Sequence, residues 1–241
     1  MESLIPGIVT IAICALGFYF AWRSYQSGKY RFCLFFVLLC GLILRLFTDL
    51  DPQLHTWDER FHALVAKNLI QHPLKPTLYE NPVLSYDYKN WIGNHIWLEK
   101  GPVPLWSIAA SIRLFGTNVY AVRLPSLIIS TLGIYITFLL GLYLFDKRIG
   151  LLAAFFHAVN GLAIELAAGR ISSDHVETFF VFFTELGILF CVLSILQKRS
   201  YLFAMLCAVG VLRASGALDL ALDGLRWLVS AVGMDTRFVD A

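Results

Sequence analysis

Charge is what this chain has least of. Lys, Arg, Asp and Glu make up 15% of its 241 residues and leave a net charge of +2, so it lacks the basic footprint that nucleic acid requires. With 58% hydrophobic residues, the composition also excludes an ordinary soluble domain of this length. Cysteine is sparse and unclustered. Cys14, Cys33, Cys40, Cys191 and Cys207 all lie in apolar stretches without CxxC spacing or a neighbouring histidine cluster, which reads as packing and not as disulfides or metal ligands. The first apolar run has no basic residue before it and no small-residue cleavage site, so a retained helix is expected there and not a removable signal peptide. No inverted repeat or broken-helix pair is evident, which weighs against a transport or channel subunit, one of two alternative readings for such a chain, the other being an inactive truncated remnant.

What is present is apolar length. A helix needs about 20 apolar residues to cross a bilayer core. Residues 4–22, 31–47, 124–145, 149–169 and 175–196 meet that need and predict an all-α polytopic bundle. Residues 101–117 begin Gly-Pro-Val-Pro, carry Arg113 and end at Gly116, which suits a helix lying at the interface. Cytoplasmic turns collect Lys and Arg close to span ends. If 101–117 does not cross, then Arg23, Lys29, Arg31, Lys147, Arg148, Lys198 and Arg199 share the cytoplasmic side. The loop 48–123 and the turn 170–174 then share the opposite face, with the N-terminus outside.

That outer loop carries the ionisable groups. Thr56-Trp57-Asp58-Glu59 has the pattern of a capping box, so a helix is expected after Thr56 with an apolar stripe of Trp57, Phe61, Leu64, Val65 and Leu69. Asp58 then falls in the first turn, where backbone N–H groups and the helix dipole favour its ionised form. Two adjacent carboxylates beside a membrane span cost free energy unless something pairs with them, which makes them candidates for chemistry. The stretch 72–82 contains Pro73, Pro76 and Pro82 and is expected to be extended or turn-rich. Arg45, Glu165 and Glu185 sit deep in the apolar runs and are expected to pair with each other or to line the bundle interior.

Four motifs then stand in order along the chain. They are the Asp58-Glu59 pair opening its helix at Trp57 to Asn68; Glu99-Lys100-Gly-Pro-Val-Pro-Leu-Trp106, running on to Leu114-Phe115-Gly116; Val122-Arg123-Leu-Pro-Ser126; and Gly169-Arg170-Ile-Ser-Ser-Asp174. In order and spacing they resemble the C-type (GT-C) membrane glycosyltransferases that use polyprenyl-phosphate sugars, in the branch of protein O-mannosyltransferases and lipid A aminoarabinose transferases. The resemblance covers roughly residues 31–210. It implies an integral membrane enzyme that moves a sugar from a polyprenyl-phosphate donor to a hydroxyl or phosphate of a lipid, glycan or protein acceptor, by inversion, on the periplasmic or lumenal face; for the lipid A branch, this is the bacterial inner membrane. It further implies a catalytic role for Asp58, with Glu59 beside it and Asp174 as the second-loop acid, and a donor-phosphate role for Lys100, joined by Arg170 and Arg123. Gly101 replaces the second residue of the usual Lys-Pro-Pro, and Phe61-His62 stands where a tyrosine is often found.

Each of these residues has a simpler reading beside the functional one. Asp58-Glu59 and Asp174 can act as helix caps alone, and Lys100, Arg123 and Arg170 can snorkel to lipid headgroups. Tyr79, Tyr86, Tyr88, Trp91 and Trp97 can line a sugar site or form an interfacial aromatic belt. His62, His95 and Glu99, which with Tyr88 are expected near substrate, can with Glu59 hold a divalent metal; no other cofactor is expected. Ser173-Asp174-His175 is no hydrolase triad, because contiguous residues do not take up that arrangement.

From about Val211 the text changes. Leu218, Leu222, Leu225 and Val229 form one face and Asp219, Asp223, Arg226 and Ser230 another, an amphipathic helix where the resembling enzymes continue with further spans. The chain therefore divides into 1–210, the N-terminal part of a transmembrane domain, and an atypical 211–241 segment that reads as truncated or altered.

Overall fold

The computed structural model describes residues 4–56, 58–83, 85, 87, 89, 95–97, 100–170 and 175–197. Among these the regular structure is all helical, and the only sheet-like pairing is an isolated bridge between Thr77 and Ile96. Eight helices are described: α1 (Leu4–Gln26), α2 (Tyr30–Thr48), α3 (Asp58–Leu69), α4 (Pro102–Phe115), α5 (Val119–Leu144), α6 (Lys147–Ala158), α7 (Gly161–Ala167) and α8 (His175–Gln197). Helices α1, α2, α5 and α8 are long and apolar enough to cross a membrane, so the all-α polytopic bundle stands. Helix α4, at 14 residues, reaches about 21 Å and falls short of the roughly 30 Å hydrocarbon core.

The single span expected over 149–169 is instead a broken one. Helices α6 and α7 bend by 57° across Val159 and Asn160. The sequence cue is Asn160-Gly161: the Asn160 side chain accepts the Ala163 N–H at 3.0 Å and caps a new helix instead of continuing the old one. The break frees carbonyls at the end of α6, and Arg45 Nη1 donates to the Ala158 carbonyl at 3.3 Å. Arg45 also donates to the Gly41 carbonyl and, at 2.6 Å, to Ser130 Oγ. Its charge therefore caps a helix C-terminus inside the bundle. The mutual pairing expected of Arg45, Glu165 and Glu185 is not formed: Glu185 meets Thr137 and His157 instead.

Small residues let the helices close up. A Cβ at Gly141 would meet the Gly150 backbone at 2.6 Å, so α5 and α6 cross backbone to backbone there. One core cluster joins α1, α2, α5 and α6 through Ala21, Val37, Ile134, Leu151 and Ala154. A second packs α3 and α4 against the start of α5 through Val65, Leu69, Leu105, Ile108 and Val122. Leu78 and Trp97 tie the outer loop into this second cluster, and Asn68 Nδ2 donates to the Thr77 and Leu78 carbonyls.

The two ends of the bundle differ in chemistry. The α1–α2 and α5–α6 turns lie at one end, where Lys147 Nζ stands 5.2 Å over the Tyr30 ring. This brings Arg23, Lys29, Arg31, Lys147 and Arg148 to a common end. The C-terminus of α2, the N-termini of α5 and α8 and the end of α7 lie at the other, with α3 and α4 across them.

Candidate active site

The site begins with a buried ion pair. Arg123, on the first turns of α5, donates Nε to Glu59 Oε1 at 2.7 Å, and both side chains are fully buried. Its remaining N–H groups reach the Asp49, Asp51 and Gln53 carbonyls and Glu59 Oε2. A guanidinium has five N–H donors, and here all are engaged. Loop 49–56 is thus wound around one cation, and Arg123 keeps no donor for a phosphate. Arg123, expected among the phosphate binders or the snorkelling residues, is fully buried here and paired with Glu59 and loop 49–56.

Glu59 is the other half of this lock. Besides Arg123 it accepts the His55 backbone N–H and stands 2.8 Å from His55 Nδ1. The acid of the capping box does reach back to the preceding loop, but to His55 and across to α5, while the helix starts at Asp58. Buried Glu59, His62, Val65, Ala66 and Leu69 form the inner face of α3, whereas Leu64, expected in the apolar stripe, is exposed. Trp57 lies outside the described residues.

Asp58 occupies the contrasting position. It is half-buried in the first turn of α3 and makes no hydrogen bond or ion pair to another described residue. Its neighbour Glu59 is held against α5, whereas the Asp58 carboxylate is left without a partner among the described residues. Nearby in the loop, the Gln53 backbone N–H, followed by the His55 side chain, holds the Asp51 carboxyl below the usual carboxylate range.

Two further cations stand on the same rim. Lys100, just before α4, meets Glu177 Oε1 at 3.2 Å, joining the outer loop to the first turn of α8. Arg170 is exposed and donates Nη2 to the Thr48 carbonyl at 3.2 Å, at the end of α2. Its place follows from Gly169, which takes φ +65 after α7 while the Gly169 and Arg170 N–H groups return to the Leu166 and Glu165 carbonyls. This terminating motif needs glycine at its left-handed position. Ser126 Oγ, donating toward the Arg123 and Ala167 carbonyls at 2.8 Å, ties α5 to α7 just inside the rim.

His62 is buried against Trp97, edge to face at 5.8 Å, and the His95 carbonyl accepts the Leu78 N–H. Both belong to the packing that seats the outer loop on α3. Among the described residues no group of three or more His, Cys, Asp or Glu is placed to hold a metal ion. Tyr88, Glu99 and Asp174 lie outside the described residues, although Arg170 and Glu177 bracket the last. Glu177, Asp51 and His55 escaped the sequence reading. The available signal was an acid in the first turn of a span, at Glu177, facing a loop lysine.

Residues 99–217 match the family model described as dolichyl-phosphate-mannose-protein mannosyltransferase. The match takes in just under half of the chain, including Lys100, Arg123, Arg170, Asp174 and Glu177, and starts after Asp58 and Glu59. Together with the apolar spans it supports an integral membrane glycosyltransferase. No curated protein and no solved structure matches the chain.

Proposed function

We propose that the chain transfers a sugar from a polyprenyl-phosphate donor to an acceptor hydroxyl at the non-cytosolic rim of the membrane, with Asp58 as general base. The observation that carries this reading is the contrast between Glu59, locked onto Arg123, and Asp58, held beside it with no partner among the described residues. The acceptor oxygen attacks the anomeric carbon as the bond from that carbon to the phosphate oxygen breaks. The electron pair leaves with the phosphate, and the acceptor proton passes to Asp58. Lys100 and Arg170 supply positive charge for the departing phosphate in a partly dewatered rim. Arg123 and Glu59 serve as positioning residues, and Asp174 is proposed as the second acid. The basic end of the bundle is assigned to the cytoplasm by the excess of Lys and Arg in its turns.

Transfer assays with polyprenyl-phosphate sugars test this reading. Asp58→Asn is expected to lower kcat by about a hundredfold or more, the typical worth of a positioned base. Equal transfer by both forms would remove Asp58 from the chemistry. The broken α6–α7 span favours a second reading, since transport proteins build sites at discontinuous helices. Ion flux through liposomes without sugar transfer would select it.

A further inference from the structure

Helices α1 and α6 both pack on α2, yet their backbones scarcely approach one another. The gap leaves a groove of about 660 Å³, floored by Cys33 and Val37 of α2. Trp22 on one wall and Ile149 and Leu152 on the other are exposed, so the groove opens on the lipid-facing side of the bundle. Its two ends differ. At one end Phe18 meets Phe155 edge to face at 5.1 Å. Tyr25 stands seven residues further along α1 and Arg148 seven residues back along α6, which puts both about 10 Å from the phenylalanines at the other end. There Trp22 stacks on Tyr25, Tyr25 meets Tyr30, and Lys147 Nζ stands over the Tyr30 ring. Tryptophan and tyrosine settle at the headgroup level of a bilayer. The groove therefore runs from the membrane surface at Arg148 into the hydrocarbon at Phe18 and Phe155.

The charge at the surface end narrows the occupant. Arg148 lines the groove, Lys147 precedes it, and Arg23, Lys29 and Arg31 share the same end. Asp146 is the only acid there among the described residues, and its carboxylate is engaged as the cap of α6, accepting the Arg148 and Ile149 N–H groups at 2.7 and 2.9 Å. A zwitterionic headgroup brings its own ammonium into this cationic field. A headgroup of net negative charge is drawn in, by about fivefold in affinity for each Lys or Arg near the surface. We propose that the groove between α1 and α6 is a binding site for an anionic phospholipid, its phosphate on Arg148 and Lys147 and one acyl chain laid past Leu152 toward Phe18 and Phe155. The site lies at the opposite end of the bundle from Lys100 and Arg170 and stands apart from the sugar-transfer reading.

The test uses the full chain in phosphatidylcholine nanodiscs that hold a small share of phosphatidylglycerol with a diazirine in one acyl chain; phosphatidylcholine with the same tail is the control. Light-driven labelling by the anionic probe is expected to concentrate on α1 and α6 around Trp22 and Leu152, at least fivefold above the control. Arg148→Gln is expected to lower it about fivefold, and Lys147→Gln with Arg148→Gln to bring it to the control level. Leu152→Trp keeps the charge but fills the groove, and is expected to remove the labelling at Trp22 and Phe155. Arg148 and Leu152 are both exposed, so neither substitution takes a side chain out of the core. Glycerol phosphate in excess, which has the phosphate but no tail, is expected not to compete. Equal labelling by the two lipids, labelling that ignores Arg148→Gln, labelling spread evenly around the spans, or full competition by glycerol phosphate would each overturn the proposal. None of these readouts uses sugar transfer, so this inference and the role of Asp58 fail separately.

Discussion

At the scale of single residues, Arg123 and Glu59 define how the rim is built. Removing one member of a buried ion pair strands the other, so Arg123→Met or Glu59→Leu is expected to cost about 3–5 kcal/mol. The double variant Glu59→Leu with Arg123→Met leaves no orphan charge and should recover much of that loss in thermal melting. A double variant no better than the worse single one would show that the loop carbonyls, and not the carboxylate, are what Arg123 holds. Asp51 gives a pH dependence whose sign follows from its depressed folded pKa. Its contribution is fully present above the ordinary carboxylate pKa and is lost as pH falls through the lower folded value. The melting difference between the native chain and Asp51→Asn should therefore be largest near neutrality and vanish in acid. Lys100→Gln is expected to weaken donor binding about tenfold or more, the worth of a charge-assisted contact, while leaving the fold intact. The sequence marked these residues by charge and spacing. It could not say which of two adjacent acids turns inward, because that depends on where α5 brings Arg123.

Helices were the most legible scale. Residues 4–22, 31–47, 124–145 and 175–196 all fall within or close to observed helices, since a long apolar run has few other ways to satisfy its backbone in lipid. Helix α5 nevertheless starts at Val119 and not at 124, because Asn118 accepts the Ala121 N–H at 2.8 Å and sets the first turn outside the apolar run. Asn118→Ala is expected to cost about 1 kcal/mol and to fray that turn, measured by amide exchange around Ala121. The α6–α7 break was hidden by hydropathy, which averages over Asn160-Gly161 and registers neither a cap nor a cation arriving from α2. At the α5–α6 crossing the constraint is steric. Gly141→Val must push the Gly150 backbone away, and a loss of about 1–3 kcal/mol is expected in melting experiments.

Over the whole molecule, the partition of charge orders the bundle. Basic turns gather at one end, and the ion-paired, carboxylate-bearing rim lies at the other. The sequence expectation of an interfacial helix over 101–117, from Gly-Pro-Val-Pro, Arg113 and Gly116, is matched by a 14-residue α4, too short for a full span. Membrane-impermeant thiol labelling tests the separation of the two ends: cysteines introduced at Asn118 and Gln53 should react from one side of the membrane, and those at Gly28 and Asp146 from the other. The outer loop was the least legible part, since its hold on α3 depends on the Thr77–Ile96 bridge and on Asn68 reaching two carbonyls, contacts that no periodicity announces.

The Arg45 contacts impose a sequence of events on biogenesis. Arg45 belongs to α2, yet two of the groups that accept its hydrogen bonds, Ser130 Oγ and the Ala158 carbonyl, are translated long afterwards on α5 and α6. Until those helices arrive, Arg45, one turn before the end of α2, lacks these partners, and its long side chain can extend along the helix toward water. Docking of the α5–α6 hairpin draws it inward, so solvent contact at position 45 marks an unfinished bundle and its disappearance marks the moment the spans come together.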